Sequence, residues 1–151
     1  MKALTLWQPW ASLVILGYKK IETRSWSTVH RGKLAIHAAK QEPKSVFSTT
    51  ARIFSEEAKL AVGMCLAYYG AQTFNELPRG CVLGEVDLVL CEPSGNVDLM
   101  KLESLERVLG DYSLHRFAWH LEKPEHYHPF IFPVRGYQRL WNWEKPNEPI
   151  Y

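Results

Sequence analysis

The chain turns abruptly from apolar to charged in the stretch Gly17-Tyr18-Lys19-Lys20-Ile21-Glu22-Thr23-Arg24-Ser25-Trp26, which follows the nearly all-apolar run Leu4 to Leu16. Four charges of both signs and a tryptophan come directly after the apolar run, without a spacer. Polar groups therefore lie where the chain has just left the core. We expect a functional site at this point.

Elements of regular structure can be placed around that stretch. Alternation predicts a strand over Lys2 to Trp7, and the run from Pro9 to Leu16 is typical of a short buried helix that Gly17 ends. Lys19 to Trp26 is predicted as a second strand and Gly32 to Ala39 as a third. The connection between these two strands is too short for a parallel crossover, so we expect them to be antiparallel neighbours.

The rest of the chain adds strands and amphipathic helices. A longer helix is predicted to open at Pro43, with apolar residues at helical spacing, and to cover the sheet. The remaining predicted elements are a strand Cys81 to Leu90, a helix Leu99 to Leu109, a strand Arg116 to Leu121, and an apolar run Phe130 to Val134 whose Pro133 suggests a sheet edge or a barrel corner. This pattern predicts an α+β fold, a small mixed or antiparallel barrel with two to four helices packed outside, rather than a doubly wound sheet.

Composition is typical of a soluble globular protein, with 46% hydrophobic and 23% charged residues. No run approaches the ~18 apolar residues of a membrane span, and the amino terminus lacks the pattern of a signal peptide, so we expect a cytoplasmic protein with no membrane partner. The three cysteines have no CxxC spacing and are predicted to be buried thiols.

Positive charge is concentrated near the amino terminus. Residues 1–44 hold eight Lys and Arg against two Glu, whereas the remaining residues sum to −4. Clustered positive charge attracts polyanions and is commonly used to contact phosphate. The alternative is a solvated surface whose charges balance in three dimensions.

The charged stretch supplies the main candidate site. In a strand, Lys20, Glu22, Arg24 and Trp26 share one face, and Lys19 at the preceding turn can swing towards the same place. An ion pair between Glu22 and Arg24 would hold the guanidinium ready for a phosphate or carboxylate, and Trp7, Trp10 and Trp26 would supply a stacking surface for a base. The alternative is a surface ion pair beside core tryptophans.

Other candidate residues give weaker signals. Glu85 and Asp87 share a strand face, and with Glu22 they offer oxygen ligands to a divalent metal, but a solvated strand face is the favoured interpretation. His126 and His128 are predicted to lie in a surface loop. We therefore predict neither a metal site nor a cofactor. No GxSxG, P-loop or GxGxxG motif is present.

Several motifs together resemble a known family. They are Leu6-Trp7-Gln8-Pro9-Trp10-Ala11, Gly17-x-Lys19-x-x-Glu22-x-Arg24-x-Trp26, Gly32 to Ala39, Leu77-Pro78-Arg79-Gly80 with Gly84-Glu85-Val86, and Gly136-x-Gln138-x-x-Trp141. From about Leu4 to Trp143 the chain resembles the ASCH domain, named for its homology to the activating signal cointegrator. We expect one such domain over residues 1–145 and a carboxy-terminal tail over residues 146–151.

The resemblance implies a fold and a ligand. It implies a small barrel related to the PUA domain, and a cleft beside the first helix that binds single-stranded RNA, a nucleotide or a nucleoside. Lys19, Glu22 and Arg24 would line the cleft. The predicted ligand-binding residues are Trp7, Gln8, Lys19, Arg24, Trp26, Arg31, His37, Arg79 and Glu85.

The resemblance also leaves a catalytic alternative. A smaller ASCH-like group comprises amidohydrolases that deacetylate N4-acetylcytidine with a nucleophilic Thr, where this chain has Glu22. Thr23 is one position off, and strand parity turns it to the opposite face. Glu22 would then have to act as a general base, with Lys19 and Arg24 stabilising an oxyanion, in an amidohydrolase or a ribonuclease. A third interpretation, a protein interaction module, rests on the aromatic residues of Arg135 to Trp143.

Overall fold

The computed structural model describes residues 1–41, 55–130 and 132–147. Short 3-10 turns at Phe74–Glu76 and Ser94–Asn96 flank the longest strand. The helices and strands are β1 (Lys2–Leu6), α1 (Trp10–Ile15), β2 (Ile21–Arg24), β3 (Gly32–Ala38), α2 (Glu56–Tyr69), β4 (Cys81–Pro93), α3 (Ser104–Leu109), β5 (Phe117–His126), β6 (Phe132–Pro133) and β7 (Leu140–Asn142).

The strands form one curled, mixed sheet. Their order is β2-β5-β4-β3-β1-β7, and β6 pairs with β4 beside this path. β1 and β3 run parallel, and the other pairs are antiparallel. The register shifts twice between β4 and β5 and once between β3 and β4, and such irregularities increase local twist. The sheet therefore curls into a half-barrel, and the three α-helices within the described ranges pack outside it.

The core lies on both faces of the sheet. Leu34, Ile36 and Ala38 of β3 point to the face where Val14 and Ile15 of α1 pack, as the alternation predicts. The opposite face holds a second apolar cluster, which contains Ala3, Ala35, Val82, Tyr127, Phe132, Trp141 and Trp143. α1 thus packs against the sheet. The chain then passes from this buried helix into β2.

The predicted pairing of the second and third strands is wrong. β2 pairs with β5, whereas β3 lies between β1 and β4. A short connection excludes a parallel crossover between two strands, but it does not require them to pair at all. The parallel partner of β3 is β1, and α1 and β2 occupy the long connection between those two strands.

Part of the predicted long helix lies outside the described residues, since Pro43, Phe47, Ala51 and Phe54 fall in the gap at 42–54. The described part, α2, begins after Ser55, whose Oγ accepts the Ala58 N–H at 3.1 Å as a helix cap. Its buried residues pack on Leu13 of α1 and Leu109 of α3, and its last residue, Tyr69, contacts His126 of β5. The expectation that the whole predicted helix covers the sheet stays a prediction.

Two further predictions need correction. The helix expected from Leu99 begins only at Ser104, and Leu99 itself is exposed. Of the three cysteines predicted to be buried, Cys65 and Cys81 are, but Cys91 is half-buried. Cys91 lies on the distal part of β4, where the strand extends beyond the predicted end.

Gly84 of β4 is required by the close approach of α1. A Cβ at this position would lie 2.7 Å from Ile15 Cδ1 and 2.2 Å from the backbone oxygen of Glu125. We predict that Gly84→Ala lowers the free energy of unfolding by more than ~1 kcal/mol, because the neighbouring backbone cannot give way. Urea denaturation measures this change.

Gly63→Ala is the matched control. Gly63 lies in α2, and nothing stands within 4 Å of its added Cβ. Ala is favoured over Gly in a helix interior by roughly 0.5–1 kcal/mol, so this variant should be more stable than the native chain. Equal destabilisation by the two substitutions would contradict the packing described for α1 and β4.

Candidate functional site

A cleft of about 690 Å³ opens on the side of the half-barrel where β2 ends. One wall consists of residues 22–26 and Lys19, and the other consists of the end of β1 and residues 137–139, which precede β7. The described residues that line it are Thr5, Leu6, Trp7, Trp10, Lys19, Glu22, Thr23, Arg24, Ser25, Trp26, Gln41, Leu109, Arg116, Tyr137, Gln138 and Arg139. The cleft therefore combines aromatic rings with several cations.

Glu22 lies between two cations in this cleft. Its carboxylate is 3.9 Å from Lys19 Nζ and 3.7 Å from Arg24 Nη1. Lys19 is only 3% exposed, and its ammonium also donates a hydrogen bond to the backbone oxygen of Ile21. A buried charge is tolerated only when it is paired and hydrogen-bonded, and these contacts meet that requirement. Arg24 remains half-buried and faces the cleft, so it is the cation of this group best placed to meet a ligand.

Trp26 connects the two walls of the cleft. The guanidinium carbons of Arg24 and Arg139 lie 5.8 and 5.4 Å from the centre of its ring, within the range of cation–π attraction. The buried Trp119 contacts the same ring edge-on, with 4.7 Å between centroids. Trp7 is 47% exposed and offers a further open aromatic surface.

A carboxylate from α3 holds the start of β2. The side chain of Glu106 accepts the backbone N–H groups of Lys20 at 2.8 Å and of Ile21 at 2.9 Å. Burial, together with the nearby Glu106 and Glu22 carboxylates, raises the pKa of Tyr112, so this phenol stays protonated beside Glu106. Glu106 was not predicted as a site residue. It does not line the cleft, but it fixes the strand from which Glu22 and Arg24 project.

Arg116 and Asp111 contact β2 at Thr23. The guanidinium of Arg116 donates to the backbone oxygen of Thr23 at 2.8 Å and lies 3.5 Å from the Asp111 carboxylate. The hydroxyl of Thr23 accepts the Asp111 N–H at 3.0 Å. The Thr23 hydroxyl is therefore engaged by a loop, although Thr23 lines the same cleft as Glu22.

Four of the nine predicted ligand-binding residues line the cleft, namely Trp7, Lys19, Arg24 and Trp26. Glu22, which was predicted with Lys19 and Arg24 as a catalytic residue, lines it as well. Arg116, Gln138 and Arg139 also line the cleft, although they were not predicted as site residues. The available signal was the motif Gly136-x-Gln138-x-x-Trp141, which brackets Arg139.

The structure places other predicted residues away from the cleft wall. Gln8 is buried and bonds to the Pro78 oxygen and the Ser12 N–H, so it joins the start of α1 to a loop. Arg31 is exposed and donates to neighbouring backbone oxygens at residues 28 and 30.

Glu85 belongs to a separate polar group on β4. Its carboxylate lies 2.7 Å from Lys33 Nζ and accepts the hydroxyl of Tyr127. These two partners hold the pKa of Glu85 below its ordinary value against the opposing effect of burial. Lys33 also lies 3.7 Å from Asp87. Glu85 and Asp87 thus form a strand face paired with Lys33, and Asp87 also lies 3.8 Å from Lys123 Nζ. Neither carboxylate lines the cleft with Glu22.

His37 and Arg79 line a neighbouring hollow. His126 ends β5 rather than lying in a surface loop, and its ring is 2.7 Å from the Tyr69 hydroxyl. In the part of the chain that is described, no three His, Cys, Asp or Glu side chains converge as metal ligands would. None of the described helices has the length and apolar character to cross a membrane.

Known proteins resemble this chain in sequence. The family model described as ASCH domain matches residues 4–143. The proteins named activating signal cointegrator 1 from Mus musculus and Homo sapiens are each 30% identical to it, over 139 and 142 residues. These alignments cover 91% of this chain and 21% of each relative, so the chain spans about a fifth of the length of the curated relatives it matches.

A solved structure resembles the fold. The crystal structure of ASCH from Zymomonas mobilis matches with a TM-score of 0.50 at 13% identity, over 88% of this chain and 73% of that chain. At this identity the likeness concerns the fold alone. It confirms the predicted class, a small PUA-like barrel of mixed strands with helices outside.

The role of Glu106 gives a stability prediction. Glu106→Ala removes the acceptor of two backbone N–H groups, one of them buried, and should lower the free energy of unfolding by roughly 1.5–3 kcal/mol. Glu103→Ala is the control, because Glu103 is exposed and lies 4.0 Å from Lys20 Nζ, so its loss should cost about 0.5 kcal/mol or less. Equal losses in urea titrations of the two variants would show that Glu106 does not hold β2.

Proposed function

This chain belongs to the ASCH domain family, and we propose that its cleft binds single-stranded RNA or a nucleotide, in a role in RNA metabolism or regulation. The observation that carries this proposal is the placement of Arg24 and Arg139 around the ring of Trp26. Guanidinium groups suit phosphate oxygens, and an aromatic ring suits a base.

Electrostatics of the cleft support an anionic ligand. Its described lining residues include Lys19, Arg24, Arg116 and Arg139, against the carboxylate of Glu22 in the lining and that of Asp111, which pairs with Arg116. The Glu22 carboxylate is engaged by Lys19 and Arg24, so it orients these cations and does not cancel them all. An excess of cations in a concave surface favours the approach of a phosphate-bearing ligand.

Aromatic groups support recognition of a base. Trp7 and Tyr137 both line the cleft and are 47% and 55% exposed. Stacking on such rings is worth roughly 1–3 kcal/mol per base and tolerates different bases. Single-stranded RNA presents unstacked bases beside its phosphates, so it matches both features of the cleft.

The geometry favours binding over hydrolysis. A Thr nucleophile needs a base to take its proton, and the contact that the structure gives the Thr23 hydroxyl is a backbone N–H of Asp111, which cannot serve as that base. Glu22 contacts two cations, which suits a group that positions them. The protein interaction alternative loses much of its basis, because Trp141 and Trp143 are buried in the second apolar cluster.

The proposal extends to the whole matched region. We infer one binding domain over residues 1–145 and a cytoplasmic site of action. The match of the family model to residues 4–143 supports these bounds. Of the tail expected over residues 146–151, residues 148–151 lie outside the described residues.

Substitution of Arg24 tests the proposal. Arg24→Ala should weaken binding of a labelled single-stranded oligoribonucleotide about tenfold or more, because one charge-assisted contact is lost. Arg24→Lys keeps the charge but loses the planar guanidinium, so its affinity should lie between those of the native chain and Arg24→Ala. Fluorescence anisotropy at several salt concentrations should also show a shallower salt dependence for Arg24→Ala.

Arg107→Ala is the matched control for this experiment. Arg107 is an exposed arginine of α3 that does not line the cleft, so its loss removes the same charge from a different place. We expect native affinity for this variant. Equal retention of RNA by Arg24→Ala and Arg107→Ala would refute the proposed function.

A further inference from the structure

A second basic concavity lies beside the cleft, and we call it the basic hollow. It has a volume of about 690 Å³, and Lys40, Arg79 and Arg135 bring three cations to it from three separate segments. Its other described lining residues are Thr5, His37, Ala39, Gly80, Val134 and Gly136. No carboxylate occurs among these described lining residues, so the described lining of the hollow carries an excess of positive charge.

The basic hollow lies next to the cleft. Thr5 lines both. Residues 134–136 line the hollow, and the next three residues, 137–139, line the cleft. Val134 and Arg139 are five positions apart, so the backbone between them spans at most ~18 Å. A short strand of nucleotides is long enough to contact both.

The segment between the two concavities is held in place. His37 is 1% exposed, and its Nε2 lies 3.0 Å from the backbone oxygen of Val134, which can only accept a hydrogen bond. Gly136 lies so close that an added Cβ would be 2.4 Å from the His37 ring and 2.7 Å from Thr5 Oγ1. The wall between the hollow and the cleft is therefore closely packed on β1 and β3.

Contacts with neighbouring groups restrict two of the three cations, Arg79 and Arg135. Arg79 is half-buried and donates to the backbone oxygen of Asn75 at 2.8 Å. The guanidinium of Arg135 lies 5.7 Å from the ring centre of Tyr137, which itself lines the cleft. Planar guanidinium groups beside a lysine suit the oxygens of a phosphate.

We propose that the basic hollow binds a backbone phosphate of the same RNA strand whose neighbouring nucleotide occupies the cleft. The preferred ligand is then an oligonucleotide rather than a mononucleotide. This inference rests on the proposed function, because it needs a strand in the cleft. It adds a second contact point, formed by Lys40, Arg79 and Arg135.

The experiment compares three probes by amide chemical shifts of the ¹⁵N-labelled chain. The probes are uridine monophosphate, hexauridylate and inorganic pyrophosphate. We expect hexauridylate to shift the amides of Trp26 and Arg139 in the cleft and of Gly80 and Gly136 in the hollow. Uridine monophosphate should shift the cleft amides first, at concentrations that leave the hollow amides unchanged.

Variants show whether the hollow contributes affinity. Lys40→Ala combined with Arg79→Ala should weaken hexauridylate binding about tenfold or more, while the affinity for uridine monophosphate stays native. Lys101→Ala combined with Arg107→Ala is the control, because it removes one lysine and one arginine that are exposed and line neither concavity. This control should bind both probes as the native chain does.

The outcomes separate this inference from the proposed function. If hexauridylate shifts only the cleft amides and the hollow variant binds it with native affinity, the inference is overturned and the proposed function stands. If neither uridine probe shifts the cleft amides, the proposed function fails. A hollow that responds to pyrophosphate alone would then be a site for free anions, which also overturns the claim of a strand phosphate.

Discussion

The contact between the Glu106 carboxylate and the first amides of β2 determines where the site can form. It joins α3 to a strand more than 80 residues earlier, at the point where the chain leaves the buried helix α1. β2 is only four residues long and pairs with β5 along one edge. The Glu106 carboxylate accepts backbone N–H groups at its start, as the carbonyls of a second neighbouring strand would. Fixing the start of β2 also fixes the burial of Lys19 and the direction of Glu22 and Arg24. The rest of the cleft depends on that alignment.

Electrostatics and packing act together in the cleft. Lys19 and Glu22 are almost fully buried, and each has the partner that makes burial of a charge tolerable. The guanidinium groups of the exposed Arg139 and the half-buried Arg24 lie near the ring of Trp26. The buried Trp119 packs against the same ring. Cationic groups supported in this way are held in place before a ligand arrives, which lowers the entropic cost of binding. The same wall separates the cleft from the basic hollow, so both concavities depend on the packing of His37 and Gly136.

Local patterns in the sequence predicted the positions and faces of the strands better than they predicted which strands pair. The alternation in β3 correctly assigned Leu34, Ile36 and Ala38 to one face, because side-chain period alone decides it. The partner of β2 was predicted wrongly, because pairing is decided by contacts with β5 that lie nearly 100 residues away. For the same reason Glu106, Arg116 and Arg139 were missed: their roles depend on long-range contacts that no local spacing encodes. The charged stretch was found because its polarity changed abruptly after an apolar run.

A crystal structure of the chain with a short single-stranded oligoribonucleotide is the most direct test of the central claim. The account predicts a phosphate within hydrogen-bond distance of the Arg24 guanidinium and a base stacked on an aromatic ring of the cleft. An oligoribonucleotide bound to another surface, with Arg24 and Trp26 untouched, would contradict it.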